Sequence, residues 1–135
     1  MNIGEAAAAT GLSAKTLRYY EEIGLVTPLR GANGYRRYRP ADVQKLGLVA
    51  RARALGFSID DCRALLALWT DRGRASADVK RIAEGHLAEI AAKIAALQSM
   101  QAVLERLVSS CAGDSRPDCP ILDDLAAPIT TAPTA

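Results

Sequence analysis

Ser13-Ala14-Lys15-Thr16-Leu17-Arg18-Tyr19-Tyr20-Glu21-Glu22-Ile23-Gly24 is the stretch that decides the fold of this 135-residue chain. Ser13 suits an N-cap, because its hydroxyl can accept from the free amides of a first helical turn. Gly24 suits a stop, because it tolerates the left-handed backbone that ends many helices. Between them Leu17 and Tyr20 fall three apart and can share a buried face with Leu12. Lys15, Arg18 and Tyr19 then point elsewhere. The spacing predicts a helix over 14–23 with one face for a core and one exposed basic face.

Upstream, Asn2 can cap a short helix of small residues running through Glu5 to Ala9, and Thr10-Gly11-Leu12 breaks it. Two short helices joined at a glycine turn, the second one basic, are the layout of a helix-turn-helix with its recognition helix in a major groove. Downstream, Leu29 to Arg39 contains Asn33-Gly34, a two-residue hairpin signal in which both positions accept positive φ. Tyr35, Arg36, Arg37, Tyr38 and Arg39 follow. Such residues on a hairpin can lie along a phosphate backbone, with Arg supplying charge and Tyr hydroxyls adding hydrogen bonds. This segment is the expected wing. Pro40 opens a further helix ending near Leu55-Gly56, with Val43, Leu46, Val49 and Ala50 as its apolar stripe and Arg51 and Arg53 polar.

A lone basic run is usually a solvated face. Turn, basic helix and Asn-Gly wing in that order are more specific. The charge distribution agrees. Residues 1–57 carry nine Lys/Arg against four Asp/Glu, and residues 58–135 carry eight against eleven. The formal net charge of +2 hides this asymmetry. With 50% hydrophobic but only 4% aromatic residues, the composition favours helices over sheets, so a mainly α fold is expected.

Ser58 can cap another helix through Leu65, Leu66, Leu68 and Trp69, closed by Asp71-Arg72-Gly73. From about Ser76 to Ser110 runs one long helical pattern. Its seam of Ala83, Leu87, Ile90, Ile94, Leu97, Gln101, Leu104 and Val108 alternates steps of four and three, the a/d spacing of a coiled coil. Such a helix would extend about 50 Å at ~1.5 Å per residue. Its natural burial partner is the same helix of a second copy. Gln101 interrupts the seam and could fix its register. Pro120 can start a short helix, Ile121 to Leu125, and residues 126–135 read as a disordered tail.

Cys111 and Cys119 bracket the loop between these last helices. Soft thiolates favour Cu(I), zinc and similar ions. Structural zinc usually takes four ligands with closer cysteine spacing, and no second pair exists here. Two thiolates alone suit a low-coordinate monovalent ion. From the spacing by itself such a pair is more often two unrelated thiols or a reversibly oxidised pair than a metal site. Cys62, among apolar neighbours, reads as a small buried hydrophobe. His86, at the flank of the seam, reads as a partly exposed polar residue, and neither is taken as a ligand.

No uninterrupted run of 18 apolar residues predicts a membrane span, and Met1 to Thr10 is not a signal peptide, so a cytoplasmic protein without membrane contact is expected. One His, no Gly-rich phosphate loop and no nucleophile–base pattern argue against an enzyme. A copper chaperone or buffer is disfavoured by the wing and by Arg18-Tyr19.

Leu17 to Leu25, followed by Asn33-Gly34-Tyr35-Arg36-Arg37-Tyr38, resembles the signature of the MerR family of transcription regulators. The Cys111/Cys119 loop, Cys119-Pro120 and Ser76-Ala77-Asp78-Val79-Lys80 are similar to the copper-efflux (CueR/HmrR-like) branch of that family. The likeness covers residues 1–125. It implies a winged helix-turn-helix DNA-binding domain with linker helices over 1–70, a dimerisation helix over 71–110, and a metal-binding loop with a short helix over 111–125. It implies a homodimer that binds promoter double-stranded DNA. That dimer would activate RNA polymerase there by distorting an over-long spacer when the effector arrives. It implies one Cu(I) per subunit, with Ag(I) and Au(I) chemically alike, on Cys111 and Cys119. Ser76 would approach the metal from the other subunit, and divalent-ion sensors tend to carry Cys at that position. The family's DNA contacts carry over onto Lys15, Arg18, Tyr19, Tyr35, Arg36 and Arg37, with Arg53 as a further contact. The departure is a C-terminal tail without extra Cys or His, so no tail-assisted metal capture follows. A thiol redox sensor on the same cysteines is the alternative regulator.

Overall fold

The computed structural model describes residues 1–128. Their order is α1 (Ile3–Thr10), α2 (Ala14–Glu22), β1 (Leu29–Arg30), β2 (Arg36–Arg37), α3 (Pro40–Ala54), α4 (Ile59–Thr70), α5 (Ser76–Ser110) and α6 (Pro120–Ala126). The chain is mainly helical, as its composition predicts. It divides into two compact units, Met1–His86 and a second that begins at Leu87. The tail expected at 126–135 lies outside the described residues from position 129 on, and Ala126 itself closes α6.

In the first unit the helices begin where side chains can take up free amides. Asn2 Oδ1 accepts from the Glu5 amide at 2.8 Å, and Glu5 Oε1 accepts from the Asn2 amide at 3.1 Å, a reciprocal capping box. Ser13 Oγ accepts from the Thr16 amide at 3.0 Å, and Ser58 Oγ accepts from the Asp61 amide at 3.0 Å. Gly11, at φ 73°, ends α1 in the left-handed conformation and turns the chain into α2. Helix α1 packs on α2 and α3, and α3 packs on α4. Ala6, Leu17, Tyr20, Leu46, Val49 and Cys62 are among the residues of the single core cluster. Burial pushes the Cys62 thiol above its ordinary pKa, consistent with a small apolar filler rather than a reactive group.

His86 departs from expectation. It is buried, its Nε2 lies 2.8 Å from the Leu55 carbonyl oxygen, and its ring sits 4.3 Å from that of Phe57. The seam pattern gave no hint of this, because the partners lie in the α3–α4 turn and not on α5. Gly56 occupies that turn at φ 88°, and a Cβ there would come within 3.3 Å of His86 Nε2, so the turn needs a glycine.

From Leu87 onward no described residue is buried. Of the seam residues, Leu87, Ile94, Leu97, Leu104 and Val108 are each more than half exposed, whereas Ala83 and Ile90 are of intermediate exposure. An averaged 18-residue window of α5 reaches mean hydropathy 1.2, so length and composition alone would let this helix cross a membrane. The charged Glu89 and Lys93 interrupt its apolar sequence, and the a/d seam is the pattern of a pairing helix.

Asp42 is the buried charge of the first unit, with 1% exposure. It sits in the first turn of α3 and accepts from the Arg39 amide and Nε, both at 2.9 Å on Oδ2, and from Arg39 Nη2 at 3.0 Å on Oδ1. Burial alone would raise its pKa, but the hydrogen bonds and charge of Arg39 outweigh burial and hold the carboxyl below its ordinary range. A carboxyl with a depressed folded pKa stabilises the fold above the ordinary range and loses that contribution as pH falls through the folded value. Asp42→Asn is expected to destabilise the fold by about 1–3 kcal/mol at neutral pH. It should also flatten the loss of stability below about pH 4. Urea unfolding at neutral and stepwise lower pH checks this, and equal acid sensitivity in both proteins would remove Asp42 from the linkage.

Candidate nucleic-acid interface and thiol loop

Burial of Leu17 and Tyr20 rotates α2 so that Lys15, Arg18 and Tyr19 face solvent. Beside α2 stands the two-stranded ribbon. Leu29 pairs with Arg37 and Arg30 with Arg36, antiparallel. The loop between the strands is Gly31–Tyr35, not the two-residue Asn33-Gly34 turn that the sequence suggested. Only Gly34 takes positive φ, at 79°, whereas no non-glycine residue does. The Gly34 amide donates to the Gly31 carbonyl at 2.9 Å, the Gly31 amide donates to the Tyr35 carbonyl at 2.9 Å, and Asn33 Oδ1 accepts from the Tyr35 amide at 3.1 Å. Asn33 therefore works through its side chain, as turn asparagines do, and Gly34 alone supplies the left-handed residue.

The loop lifts Tyr35 to 73% exposure at the wing tip. Arg37 is exposed as well. Arg18, Arg30, Tyr35, Arg36 and Arg37 line a groove of ≈ 720 Å³, together with Met1 and Asn2. Two expected contacts are already engaged inside the protein. Arg36 Nε donates to Glu21 Oε1 at 2.7 Å, and Arg53 Nη1 donates to the Phe57 carbonyl at 2.8 Å. Arg53 keeps an exposed side chain beyond that bond. Tyr38, expected in the alternating wing, is instead buried, and burial raises its phenol pKa, partly opposed by the charge of Arg36.

Sequence reading missed the residues that hold this face together. Glu21 accepts from Arg36 and also from Arg30 Nη2 at 2.9 Å. Arg63 of α4 donates from Nη2 to the Ile23 carbonyl at 3.0 Å, satisfying the C-terminal end of α2. The Arg63 partner is some forty residues away, which no local pattern reveals. Glu21 could have been suspected, since it lies one turn beyond Arg18 and the following segment holds an excess of arginine.

In the second unit Cys111 follows α5 and Cys119 is the N-cap residue of α6. Both are free thiols with intermediate exposure. The loop between them turns at Gly113, φ 67°, and is braced by Asp114, which accepts from the Arg116 amide at 2.9 Å and from Arg116 Nε at 2.8 Å. Cys119 makes no side-chain capping bond, so its sulfur is not committed to the helix. Among the described residues no three or more His, Cys, Asp or Glu side chains form a metal-holding group. Among the described residues the soft donors borne by this loop are these two thiols, and a pair of thiolates would suit a low-coordinate soft ion better than a four-coordinate divalent one. Ser76 is the exposed first residue of α5, in the first unit.

Comparison with known proteins adds a family context. A family model described as MerR HTH family regulatory protein matches residues 1–69, and one described as MerR, DNA binding matches residues 43–107. The chain is 56% identical over 125 residues to the HTH-type transcriptional regulator HmrR of Rhizobium leguminosarum bv. viciae, covering 93% of this chain and 97% of that protein. It is 48% identical over 126 residues to the regulator CueR of Salmonella typhimurium, covering 93% and 91%. Its structure is similar to the transcription regulator PbrR691 from Ralstonia metallidurans CH34 in complex with lead(II), with a TM-score of 0.82, 30% identity, and coverage of 93% and 99%.

Arg18 is the test of the reading face. Arg18→Ala is expected to weaken sequence-specific duplex binding by ~1–3 kcal/mol, measured by fluorescence anisotropy at fixed salt. Unchanged affinity would remove Arg18 from that face.

Proposed function

The chain belongs to the MerR family of helix-turn-helix transcription regulators, DNA-binding proteins and not enzymes, and from that premise we propose that it is a Cu(I)-responsive activator of copper-efflux promoters. The observation that carries the metal assignment is the thiol pair. Cys111 and Cys119 are free, partly exposed and borne on one short loop, with no third ligand group beside them among the described residues. The similarity to HmrR and CueR over nearly the whole chain supports the same branch.

Charge selects the ion. Two thiolates with a monovalent ion carry a net charge of −1, whereas with a divalent ion they would be neutral. Burying an unpaired charge is costly, so surroundings that accommodate the anionic site discriminate between the two. Ag(I) and Au(I) share this chemistry with Cu(I). Ser76 of the partner subunit is assigned to the neighbourhood of the ion, where its hydroxyl adds no thiolate.

The active form is assigned as a homodimer formed through α5, whose exposed seam is otherwise left in water. In each subunit Lys15, Arg18 and Tyr19 of α2 supply base-edge and phosphate contacts, and Tyr35 and Arg37 of the wing supply phosphate contacts. Arg36 and Arg53 keep their internal bonds and contribute charge at short range. Ordering of the 111–119 loop favours one of two packings of the dimer, and α5 carries that preference to both readers. The promoter is then bent and untwisted so that RNA polymerase, in the cytoplasm, engages both of its recognition elements. Such distortion costs roughly 1–6 kcal/mol, offset by contacts the bend permits.

A thiol redox sensor on the same cysteines is the second reading, since both sulfurs are free and neither is buried. Anaerobic titration separates the two, because a disulfide switch needs an oxidant and a metal switch does not. Cys111→Ser and Cys119→Ser are each expected to abolish Cu(I)-dependent transcription in vitro while leaving promoter affinity within about twofold. X-ray absorption of the anaerobically loaded wild type should show one sulfur-ligated copper per chain. Failure to bind Cu(I) at equimolar dose would refute the copper assignment.

A further inference from the structure

We propose that Glu21 is a positioning residue that locks the wing to the recognition helix and thereby sets sequence discrimination at the expense of general DNA affinity. This inference rests on the DNA-binding role of the fold and not on which metal the protein senses.

The ribbon cannot hold itself. Its strands are two residues each, and isolated two-stranded hairpins are marginal even when longer. Its register also sets Arg30 directly opposite Arg36, and like charges in such a pair are destabilising. Glu21 resolves both problems with one atom. Its Oε1 accepts from Arg30 Nη2 at 2.9 Å and from Arg36 Nε at 2.7 Å, taking one guanidinium from each strand. The Glu21 side chain is 17% exposed, so these bonds are less screened than ordinary surface pairs. Arg30 extends the constraint, since its Nη1 donates to the Gly34 carbonyl at 3.0 Å, next to Tyr35 at the tip. Glu21 lies one helical turn beyond Arg18 on α2. The helix that presents Arg18 and the hairpin that presents Tyr35 and Arg37 are therefore referenced to the same carboxylate.

A carboxylate bonded to two arginines that line the groove opposes their attraction for phosphates. Its presence there favours a geometric role, and this gives the inference a diagnostic sign. Removing the charge should strengthen indiscriminate binding, because Arg30 and Arg36 are released to any phosphate. The same change should weaken selective binding, because the wing no longer holds its angle to α2. A merely structural loss would weaken both.

The test is Glu21→Gln in the full chain. Affinities are measured across a salt series for a duplex enriched by the wild-type protein from a random library and for double-stranded poly(dI·dC). The expected result is ~10-fold weaker binding to the enriched duplex and ~2–5-fold tighter binding to poly(dI·dC), with a steeper salt slope. Parallel loss on both, or no change on either, overturns the proposal. Glu21→Gln/Arg36→Gln removes the cross-strand repulsion and should recover part of the lost discrimination. A further loss equal to the sum of the single effects would assign Arg36 to phosphate binding and also overturn it. Glu21→Asp keeps the charge but shortens its reach, so selective binding should fall without the gain on poly(dI·dC); a gain there would count against the sign argument. If the wild-type chain enriches no duplex, DNA recognition itself fails and this inference falls with it, an outcome distinct from any result with the variants.

Discussion

Burial of Leu17 and Tyr20 sets the rotation of α2 about its own axis, and the reading face depends on that rotation. Both side chains enter the one core cluster, which also holds Ala6 from α1 and Leu46 and Val49 from α3. Turning α2 by one residue would cover Arg18 and expose Leu17. The apolar cost of exposing a buried leucine is about 1.5–3 kcal/mol, a large share of what a small unit has to spare. Ala6 at full burial shows why α1 is made of small residues, since a larger side chain would hold the helices apart. The basic face is thus a by-product of core packing, and its precision comes from the core.

Charge is managed by pairing within the protein before any ligand arrives. Asp42 is buried with Arg39 wrapped around it, and Glu21 sits between two arginines. In both cases the guanidinium brings the fixed donor geometry that lets one carboxylate satisfy several bonds. The positive balance of residues 1–57 is therefore not all available to a polyanion. Arg36 and Arg30 are partly neutralised, and Lys15, Arg18 and Arg37 form no ion pair among the described residues. Counting charges along a sequence overstates the electrostatic footprint of such a domain.

What the sequence disclosed was local in origin. Asn2, Ser13 and Ser58 mark helix starts because capping bonds span three residues, and Gly11 and Gly24 mark ends because positive φ is cheap only for glycine. The family signature then carried the helix-turn-helix fold. What stayed hidden was non-local or needed a choice between turn types. Asn33-Gly34 fits a two-residue turn as well as a longer loop, and the Arg30–Arg36 register selects the longer one. His86 lies on a helix whose seam predicts solvent or a partner, yet its bond goes to Leu55, thirty-one residues earlier. Arg63 likewise reaches back to Ile23 across forty residues. Periodicity tells which face of a helix is apolar, not which distant carbonyl lies in front of it.

The second unit poses the opposite problem to the first. The first unit closes its own core, whereas from Leu87 onward no described residue is fully buried. Helices in water draw most of their stability from packing an apolar face, and the proposed homodimer would supply that packing to a helix this long with an open seam. A lipid bilayer would cover the same residues, but it would also have to take in Glu89 and Lys93 at a cost of several kcal/mol. In the proposed homodimer a second copy would cover the seam without taking those charges into a bilayer. The thiol loop hangs from the end of that same helix, so whatever completes α5 also sets the surroundings of Cys111 and Cys119. Ion selection and oligomeric state are on this view one physical problem. In the proposed site two sulfurs alone would specify a soft ion only weakly by geometry, and a surface brought against the loop by dimerisation would be what favours an anionic site over a neutral one.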